Sequence, residues 1–254
     1  MKLIRLTKEN DVAKLTLQNP PVNALSTALL HELDAALTEL KADRAIKAVI
    51  VHGEGRFFAA GADIKEFTKI ESKDEFAALA RLGQRVFLRI ERFHKPFIAA
   101  IHGAALGGGL ELAMACHLRL ATEDAKLGLP ELTLGLIPGF AGTQRLPRLV
   151  GKAKALEMIV TGEPITGKEA KMIGLVNAVH REENLLDAAR ALAEKITDKS
   201  SVNVKMILEL LQYDDFDKGM AKEAELFAHT YETEDSREGI RAFIEKRKPQ
   251  FKNR

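Results

Sequence analysis

The sequence predicts an α/β fold followed by a helical C-terminal extension. Short apolar runs alternate with amphipathic segments as far as about residue 180, a pattern that is typical of buried strands joined by helices. Beyond that point only helical periodicity is found, over about residues 183–197, 202–213, 217–231 and 236–246. We therefore expect an α/β core in residues 1–197 and a helical region in residues 198–254.

The composition is that of an ordinary globular protein. Among 254 residues, 46% are apolar and 29% are charged, which is within the usual range for such proteins. There are 38 Lys and Arg residues against 36 Asp and Glu residues, so the formal net charge is +2. A charge so near zero gives no overall field that would hold nucleic acid or an anionic membrane. We expect neither as a partner.

The thiol and imidazole groups of the chain indicate structural roles. Cys116 is the single cysteine, which excludes an internal disulfide and a cysteine-rich zinc site, and its apolar helical surroundings predict a small buried residue. His52 and His102 each precede a glycine, without a carboxylate or cysteine at metal-ligand spacing, so we expect no metal. The segment MKLIRLTKEND has no apolar stretch as long as a signal peptide or membrane span, which favours a cytoplasmic location.

Strand and helix signals follow one another closely in the first half of the chain. KLIRLT and VAKLTLQ alternate apolar and polar residues around a turn and predict a β-hairpin. Ser26 is placed to cap a helix that runs to about Asp43. The apolar runs KAVIVHG and FIAAIHG predict two buried strands. Between them, Ser72 and Glu75 form a capping-box pattern that opens a helix to about Phe93.

The same alternation continues after residue 117. HLRLA, AKLGLPE and LVNAVH predict short strands. A helix is predicted from Lys152 to about Thr161, and Thr166 with Glu169 forms a second capping-box pattern. Gly174 is suited to the C-terminal end of the helix that this second pattern opens.

Two segments share one plan and carry the first indication of a functional site. AVIVHGEGRFFAAGAD and FIAAIHGAALGGGLE each run from a strand through a glycine-containing turn to an acidic residue at a helix start. Glycine-rich turns are common in α/β folds, but the shared plan also favours two stacked units whose turns lie side by side. Backbone N–H groups at such turns and helix starts bind negative charge. Two adjacent turns that each offer one N–H would form an oxyanion hole.

A phosphate-binding loop is the rival interpretation of the glycine run. That loop carries Gly-Lys-Ser/Thr at the helix start, whereas this chain has Gly109-Leu110-Glu111. A carboxylate at this position would repel phosphate. The sequence therefore favours the oxyanion hole.

Two isolated glutamates are the candidate acid and base. Glu111 has apolar neighbours and no Lys or Arg three or four residues away, so it is either a helix-start charge worth about 0.3–1 kcal/mol or a functional group. Glu131 lies between Pro130 and leucines and is either a surface residue or a second functional carboxyl. We expect the leucines to favour protonated Glu131, an acid, and the helix start to favour ionised Glu111, a base.

With these residues the chain resembles the crotonase (enoyl-CoA hydratase/isomerase) superfamily. The resemblance implies a crotonase-like spiral of repeated β-β-α units and a C-terminal helical trimerisation region, in a homotrimer or a dimer of trimers. It also implies an acyl-CoA thioester as substrate and no further cofactor. The motifs that carry it, in order, are FFAAGADIKEF, HGAALGGGLELAMAC, LGLPELTLGLIPGFAGTQRLPRLVGKAKALEMIVTGEPITGKEAKMIGLVN and SREGIRAFIEKRKPQF.

The resemblance also implies roles for particular residues. Ala62 and Gly108 would supply the N–H groups of the oxyanion hole, and Glu111 and Glu131 would hold a water molecule between them, with Glu131 donating the proton. Backbone around Ala60, Ala62 and Ile64 would meet the adenine of CoA, and Lys65 would lie near its phosphates. The substrate-binding residues implied as a set are Ala60, Ala62, Asp63, Ile64, Lys65, Gly108 and Gly139.

Glutamates at both catalytic positions are typical of the hydratases in this superfamily. The implied reaction adds water across a trans-2-enoyl-CoA to give the 3-hydroxyacyl-CoA, in the degradation of fatty acids or related acyl-CoA compounds. The alternatives are an enoyl-CoA isomerase, another acyl-CoA enzyme of the superfamily, or a non-catalytic RNA-binding relative. The basic end EKRKPQFKNR could serve that last alternative, but the resemblance favours a place for Phe243 and Lys246 near the CoA adenine of a neighbouring subunit.

Two departures from the common hydratase pattern affect the expected site. Hydratases commonly have Cys-Asp where this chain has Cys116-His117, so the positioning of nearby groups is in question. The loop that often reads Pro-Gly-x-Gly-Gly-Thr contains Phe140 and Ala141 here. We expect Phe140 to line the acyl pocket, Ala141 to stiffen the loop, and the preferred acyl length to differ from that of common members.

Overall fold

Two β-sheets form the centre of the α/β core. The structure is a computed structural model, and it describes residues 1–253. The larger sheet has the strand order β1-β2-β3-β4-β6-β9, and the smaller has the order β5-β7-β8. The strands are β1 (Ile4–Glu9), β2 (Val12–Leu17), β3 (Ala48–Gly53), β4 (Phe97–Ile101), β5 (Ala104–Leu106), β6 (Leu118–Thr122), β7 (Lys126–Gly128), β8 (Ile165–Thr166) and β9 (Ala178–His180).

Helices follow most of the strands, and four helices occupy most of residues 185–244 in the C-terminal part of the described chain. Short 3₁₀ turns also occur at Glu131–Leu134 and Glu182–Asn184. The α-helices are α1 (Thr27–Ala42), α2 (Ile64–Phe67), α3 (Lys73–Glu91), α4 (Gly108–Ala115), α5 (Gly142–Val150), α6 (Lys152–Thr161), α7 (Gly167–Met172), α8 (Leu185–Thr197), α9 (Ser201–Leu210), α10 (Phe216–Thr230) and α11 (Glu234–Ile244).

The larger sheet is parallel except for the N-terminal hairpin, and its central strands β3 and β4 are buried on both faces. β1 and β2 are antiparallel, with Ile4 opposite Leu17, which confirms the predicted hairpin. Along β3, Val49 and Val51 belong to the main core, whereas Ala48 and Ile50 pack with α8 on the opposite face. A strand that is buried on both faces needs apolar residues throughout, and this explains why the run KAVIVHG does not alternate.

Neighbouring parallel strands bring two turns to the same end of the larger sheet. β4 and β6 are neighbours in that sheet, and each is followed by a short strand, β5 or β7, of the smaller sheet. β3 is the neighbour of β4 on the other side. The chain segments that leave β3 and β4 therefore emerge beside one another, because parallel strands end at the same edge.

The three predicted N-cap residues, Ser26, Ser72 and Thr166, all cap their helices, whereas one of the two predicted capping boxes is incomplete. The Ser26 hydroxyl accepts from the N–H of Leu29, and Thr166 and Glu169 form the complete capping box. The reciprocal box at the start of α3 is wrong. The Ser72 hydroxyl accepts from the N–H of Glu75, but the Glu75 carboxylate accepts from the N–H of Glu71 at 3.1 Å.

Two predicted boundaries are also wrong. Helix α3 ends at Glu91 rather than near Phe93, since the N–H of Phe93 bonds to the Ile90 carbonyl in a tighter turn. The segment LVNAVH forms a strand only over Ala178–His180. The N–H groups of Leu175 and Val176 bond to the carbonyl of Ala170, so these residues close the end of α7 instead of joining the sheet.

No helix within residues 1–253 combines the length and the apolar character needed to cross a membrane.

Candidate active site

A cavity of about 680 Å³ opens where the segments after β3 and β4 meet the loop that precedes α5. Its wall is mainly apolar and contains two carboxyl groups, those of Glu111 and Glu131. Most of the residues predicted for the site line it, namely Ala60, Ala62, Ile64, Gly108, Glu111, Glu131 and Gly139. The structure thus gathers in one cavity residues that are up to 79 positions apart in the chain, from Ala60 to Gly139.

Two of the predicted residues do not line this cavity. The Asp63 carboxylate caps α2 by accepting from the N–H of Lys65 at 3.1 Å. The side chain of Lys65 is exposed. Their proposed contacts with the substrate stay predictions.

The two glycine-containing turns lie side by side, which confirms the predicted juxtaposition. A Cβ atom placed on Gly107 would lie 3.7 Å from the Cα of Gly61. A backbone bridge also pairs Ala59 of the first turn with Ala105. Within residues 1–253, no acceptor is assigned to the N–H of Ala62 or of Gly108, the first residue of α4. Both residues line the cavity.

Close approach and backbone conformation explain the run of three glycines. Gly107 has a φ of +51°, in the region that L side chains rarely adopt. A Cβ atom on Gly109 would lie only 2.0 Å from the carbonyl oxygen of Ala59. Glycine therefore allows the start of α4 to pack directly against the neighbouring turn.

Glu111 is held by backbone donors that are distant in sequence. Its side chain is 1% exposed, and Oε1 accepts from the N–H of Phe140 at 2.8 Å and from the N–H of Gly142 at 2.6 Å. Oε2 has no donor within residues 1–253. These amides lie 29 and 31 residues along the chain, so the side chains three or four residues from Glu111 in the sequence give no sign of them.

The environment of Glu111 overturns its expected ionisation. Burial raises its pKa from 4.5 to about 7, although the N–H groups of Gly142 and Phe140 and the Arg145 guanidinium act in the opposite direction. The charge of Glu131 raises it further. The expectation that the helix start would keep Glu111 readily ionised is wrong, because loss of solvent outweighs the favourable dipoles. Near neutral pH this carboxyl can both take up and release a proton.

Glu131 begins the 3₁₀ turn at Glu131–Leu134 and sits beside Gly107. A Cβ atom on Gly107 would lie 3.1 Å from its Oε1, and its Oε2 is buried without a hydrogen-bond partner in the described chain. Burial raises the pKa of this carboxyl, as predicted. Among the flanking leucines Leu129 is fully buried whereas Leu132 and Leu134 are exposed, so the part that the leucines play in this desolvation stays a prediction. A buried oxygen without a partner is a ready site for a water molecule or a polar substrate group.

The loop before α5 supplies the Glu111 donors and one wall of the cavity. Phe140 is buried against Phe87 with ring centroids 5.5 Å apart, and it lines the cavity as predicted. Ala141 has a φ of +74°, so the loop holds an alanine in a conformation that favours glycine. A Cβ atom on Gly142 would lie 2.9 Å from Oε1 of Glu111, which explains the need for glycine there.

The histidines lie outside the cavity. The Nδ1 atom of His117 accepts from the N–H of Phe97, the first residue of β4, at 2.9 Å. The histidine that stands where hydratases commonly have aspartate therefore holds the start of a strand and does not line the cavity. His102 and His52 contact the carbonyls of Gly55 and Ala100 at 2.9 and 3.1 Å, which confirms structural roles. Burial lowers the pKa of His52 to about 4.

No group of three or more His, Cys, Asp or Glu residues within 1–253 could hold a metal ion. The thiol of Cys116 is buried, as predicted.

Known proteins resemble this chain over nearly its full length. The sequence profile described as Enoyl-CoA hydratase/isomerase matches residues 7–254. A probable enoyl-CoA hydratase of Bacillus subtilis is 56% identical over 99% of both chains. A short-chain-enoyl-CoA hydratase of Clostridium acetobutylicum is 43% identical over 98% of this chain and 97% of its own.

Solved structures agree with the sequence comparison. The crystal structure of an enoyl-CoA hydratase from Bacillus anthracis superimposes with a TM-score of 0.95 at 38% identity, over 99% of this chain and 100% of that one. DspI of Pseudomonas aeruginosa gives a TM-score of 0.96 at 36% identity, over 99% and 97% of the two chains. These similarities confirm the predicted crotonase-type α/β fold. The chain belongs to the enoyl-CoA hydratase/isomerase family.

Proposed function

We propose that this protein is an enoyl-CoA hydratase, which adds water across the 2,3 double bond of a trans-2-enoyl-CoA. The observation that carries the proposal is that the carboxyl groups of buried Glu111 and half-buried Glu131 share one cavity with two backbone N–H groups that have no acceptor within residues 1–253. Close relatives are named enoyl-CoA hydratase or crotonyl-CoA hydratase, which supports the same reaction here.

The two amides would act on the thioester carbonyl. When the oxygen of water adds at C3 of the enoyl group, the thioester becomes enolate-like and negative charge develops on its carbonyl oxygen. The N–H groups of Ala62 and Gly108, which belong to the two neighbouring turns, would donate to that oxygen. One such donor typically contributes about 2.7–4 kcal/mol of transition-state stabilisation.

The two carboxyls would carry the proton transfers. Addition requires one of them ionised, to take a proton from water, and the other protonated, to deliver a proton to C2. Glu111 is the proposed base, since its Oε1 is occupied by two amides and its Oε2 remains for the water. Glu131 is the proposed donor, and its buried, unpartnered Oε2 supports that role. One addition leaves Glu111 protonated and Glu131 ionised, which are the states that the reverse reaction requires. Proton exchange with solvent water would restore the starting states before the next addition.

The CoA portion of the substrate would leave the cavity past the glycine-containing turn that follows β3. The backbone at Ala60, Ala62 and Ile64 lines the wall on this side, and we assign it to the adenine. Lys65 follows at once with an exposed ammonium group, which would accompany the phosphates. Asp63 and Gly139 complete the proposed binding residues. Phe140 closes the opposite wall, where the acyl chain would lie.

The C-terminal helical region, residues 198–254, is proposed as the oligomerisation region of a homotrimer or a dimer of trimers. Helices α10 and α11 leave large apolar side chains exposed, which a second copy of the chain would cover. Those exposed by more than 70% are Phe216, Phe227, Phe243 and Ile244, and Tyr231, directly after α10, is exposed to the same degree. Sedimentation analysis should give the mass of three or six chains.

A cytoplasmic location, which the N-terminal sequence favours, is also part of the proposed function.

The proposed reaction is tested with purified protein and enoyl-CoA substrates of several lengths. Addition of water removes the conjugated thioester, so the ultraviolet absorbance of crotonyl-CoA and longer trans-2-enoyl-CoA compounds should fall. A trans-3-enoyl-CoA of matched length is the control for isomerase activity, because an isomerase would increase the conjugated absorbance instead. Protein that is inert on every trans-2-enoyl-CoA would exclude the hydratase proposal.

A further inference from the structure

We propose that Arg145, together with Glu91, is a positioning residue for the hydration: it holds the loop whose amides bind Glu111. The inference deepens the proposed function and rests on it. Neither Arg145 nor Glu91 lines the cavity, so neither would touch the substrate.

The guanidinium of Arg145 joins the loop to a rigid helix. Arg145 lies in α5 and is 6% exposed. Its Nη1 donates to the carbonyl of Phe140 at 2.8 Å, while Nε and Nη2 donate to Oε2 of Glu91 at 3.1 and 2.8 Å. Glu91 is the last residue of α3, so the contact ties the loop to the end of a helix of 19 residues.

Phe140 is thereby held on both sides of its backbone. Its N–H donates to Glu111 and its carbonyl accepts from Arg145. The next residue, Ala141, is in the left-handed conformation, and Gly142 then supplies the second amide to Glu111. A planar guanidinium with several donors in fixed directions can hold such a carbonyl in one place. Without it, the two amides would lose the constraint that aims them at one oxygen.

Arg145 also supplies positive charge to the same site. The ionisable groups that act on Glu111 are Glu131, which raises its pKa, and Arg145, which lowers it. Glu91 lies on the far side of the guanidinium and compensates its charge. Removal of Arg145 should therefore move the pH at which Glu111 ionises upward, whereas a purely structural ion pair would leave that pH unchanged.

The test compares Arg145→Met with Arg148→Met. Arg148 lies in the same helix but is exposed, and its ion pair within residues 1–253 is with Asp214, at 3.4 Å. In Arg145→Met we expect kcat for crotonyl-CoA to fall about 100-fold, as misplacement of a reacting group by about 1 Å can do, with little change in KM. The acid limb of kcat/KM should move to higher pH. Arg148→Met should match wild type in both respects.

Hydrogen exchange provides a readout that needs no substrate. The amides of Phe140 and Gly142, assigned by NMR, should exchange faster in Arg145→Met than in wild type or Arg148→Met. Gln84 still donates to the carbonyl of Gly139 at 2.9 Å, so the beginning of the loop remains attached to α3. If Arg145→Met does not fold, Arg145→Lys against Arg148→Lys gives the same comparison: the retained charge should keep the acid limb in place while kcat falls and exchange rises.

The outcomes separate this inference from the proposed function. Wild type that hydrates no enoyl-CoA would contradict the hydratase proposal, whatever Arg145 does. Amides of Phe140 and Gly142 that exchange at the wild-type rate in the folded Arg145 variant would contradict the positioning role, and so would an unchanged kcat.

Discussion

Replacing Glu111 by Gln is expected to lower kcat for enoyl-CoA hydration by about 10²–10⁴-fold, the usual contribution of a positioned acid or base. Gln has the same shape and can still accept from the N–H groups of Phe140 and Gly142 through its amide oxygen. It cannot take a proton from water. Initial rates with crotonyl-CoA at saturation, together with binding of saturated butyryl-CoA, would separate loss of chemistry from loss of binding.

Glu32→Gln is a matched control for this change. The Glu32 carboxylate also accepts several backbone N–H groups, those of Lys2, Leu3 and Ile4 at 2.8–3.1 Å, but it does not line the cavity. The control should retain the wild-type rate. A Glu111→Gln variant that retained it too would show that Glu111 is not the base.

The same variant reports whether Glu111 is as strongly desolvated as the structure indicates. Burial raises its pKa from 4.5 to about 7, so folded wild type keeps a proton that the unfolded chain loses between these pH values. The stability that this difference in proton binding contributes is fully present below about pH 4.5 and is lost as the pH rises to about 7. Glu111→Gln lacks it, so its free energy of unfolding relative to wild type should increase from pH 4.5 to pH 8. Denaturant titrations at both pH values, with Glu32→Gln alongside, would measure the difference.

Replacing Glu131 by Gln should lower kcat by a similar factor of about 10²–10⁴, since the proposed donor can no longer protonate C2. The pKa of Glu131 is raised by burial, and its Oε2 has no partner in the described chain. The loss of a carboxyl should therefore affect the chemistry more than the fold. Glu163→Gln, an exposed change outside the cavity, is its control.

Combining the two changes tests whether the carboxyls act as a unit. Groups that share one reaction step show strongly non-additive losses. The double variant Glu111→Gln, Glu131→Gln should therefore be little slower than the slower single variant. Losses that multiplied would indicate that the two groups act in separate steps, against the proposed mechanism.

Much of the fold could be predicted from local patterns. The hairpin of β1 and β2 follows from alternation, and α1 follows from its Ser26 cap. The reciprocal box at Ser72 failed because the carboxylate of Glu75 has a competing donor, the N–H of Glu71. Competition of this kind depends on the conformation of the preceding turn, which the residue pattern does not specify.

The candidate site was less accessible to sequence reasoning. Isolated acids in apolar surroundings pointed to Glu111 and Glu131. The shared plan of two turns pointed to an oxyanion hole between them, and the resemblance to the crotonase superfamily supplied Ala62 and Gly108 as its donors. The partners of Glu111 could not be found in this way, because backbone amides carry no residue signature and lie in a distant loop. Its pKa was misjudged for a related reason, since the extent of desolvation depends on packing from several elements.

The central claim is that the cavity adds water to a conjugated thioester, and isotopic labelling tests it most directly. Crotonyl-CoA incubated with the protein in ¹⁸O-enriched D₂O should yield 3-hydroxybutyryl-CoA with ¹⁸O on C3 and deuterium on C2, identified by mass spectrometry and NMR. A 3-enoyl product, oxygen from water at any other carbon, or unchanged crotonyl-CoA would contradict the account.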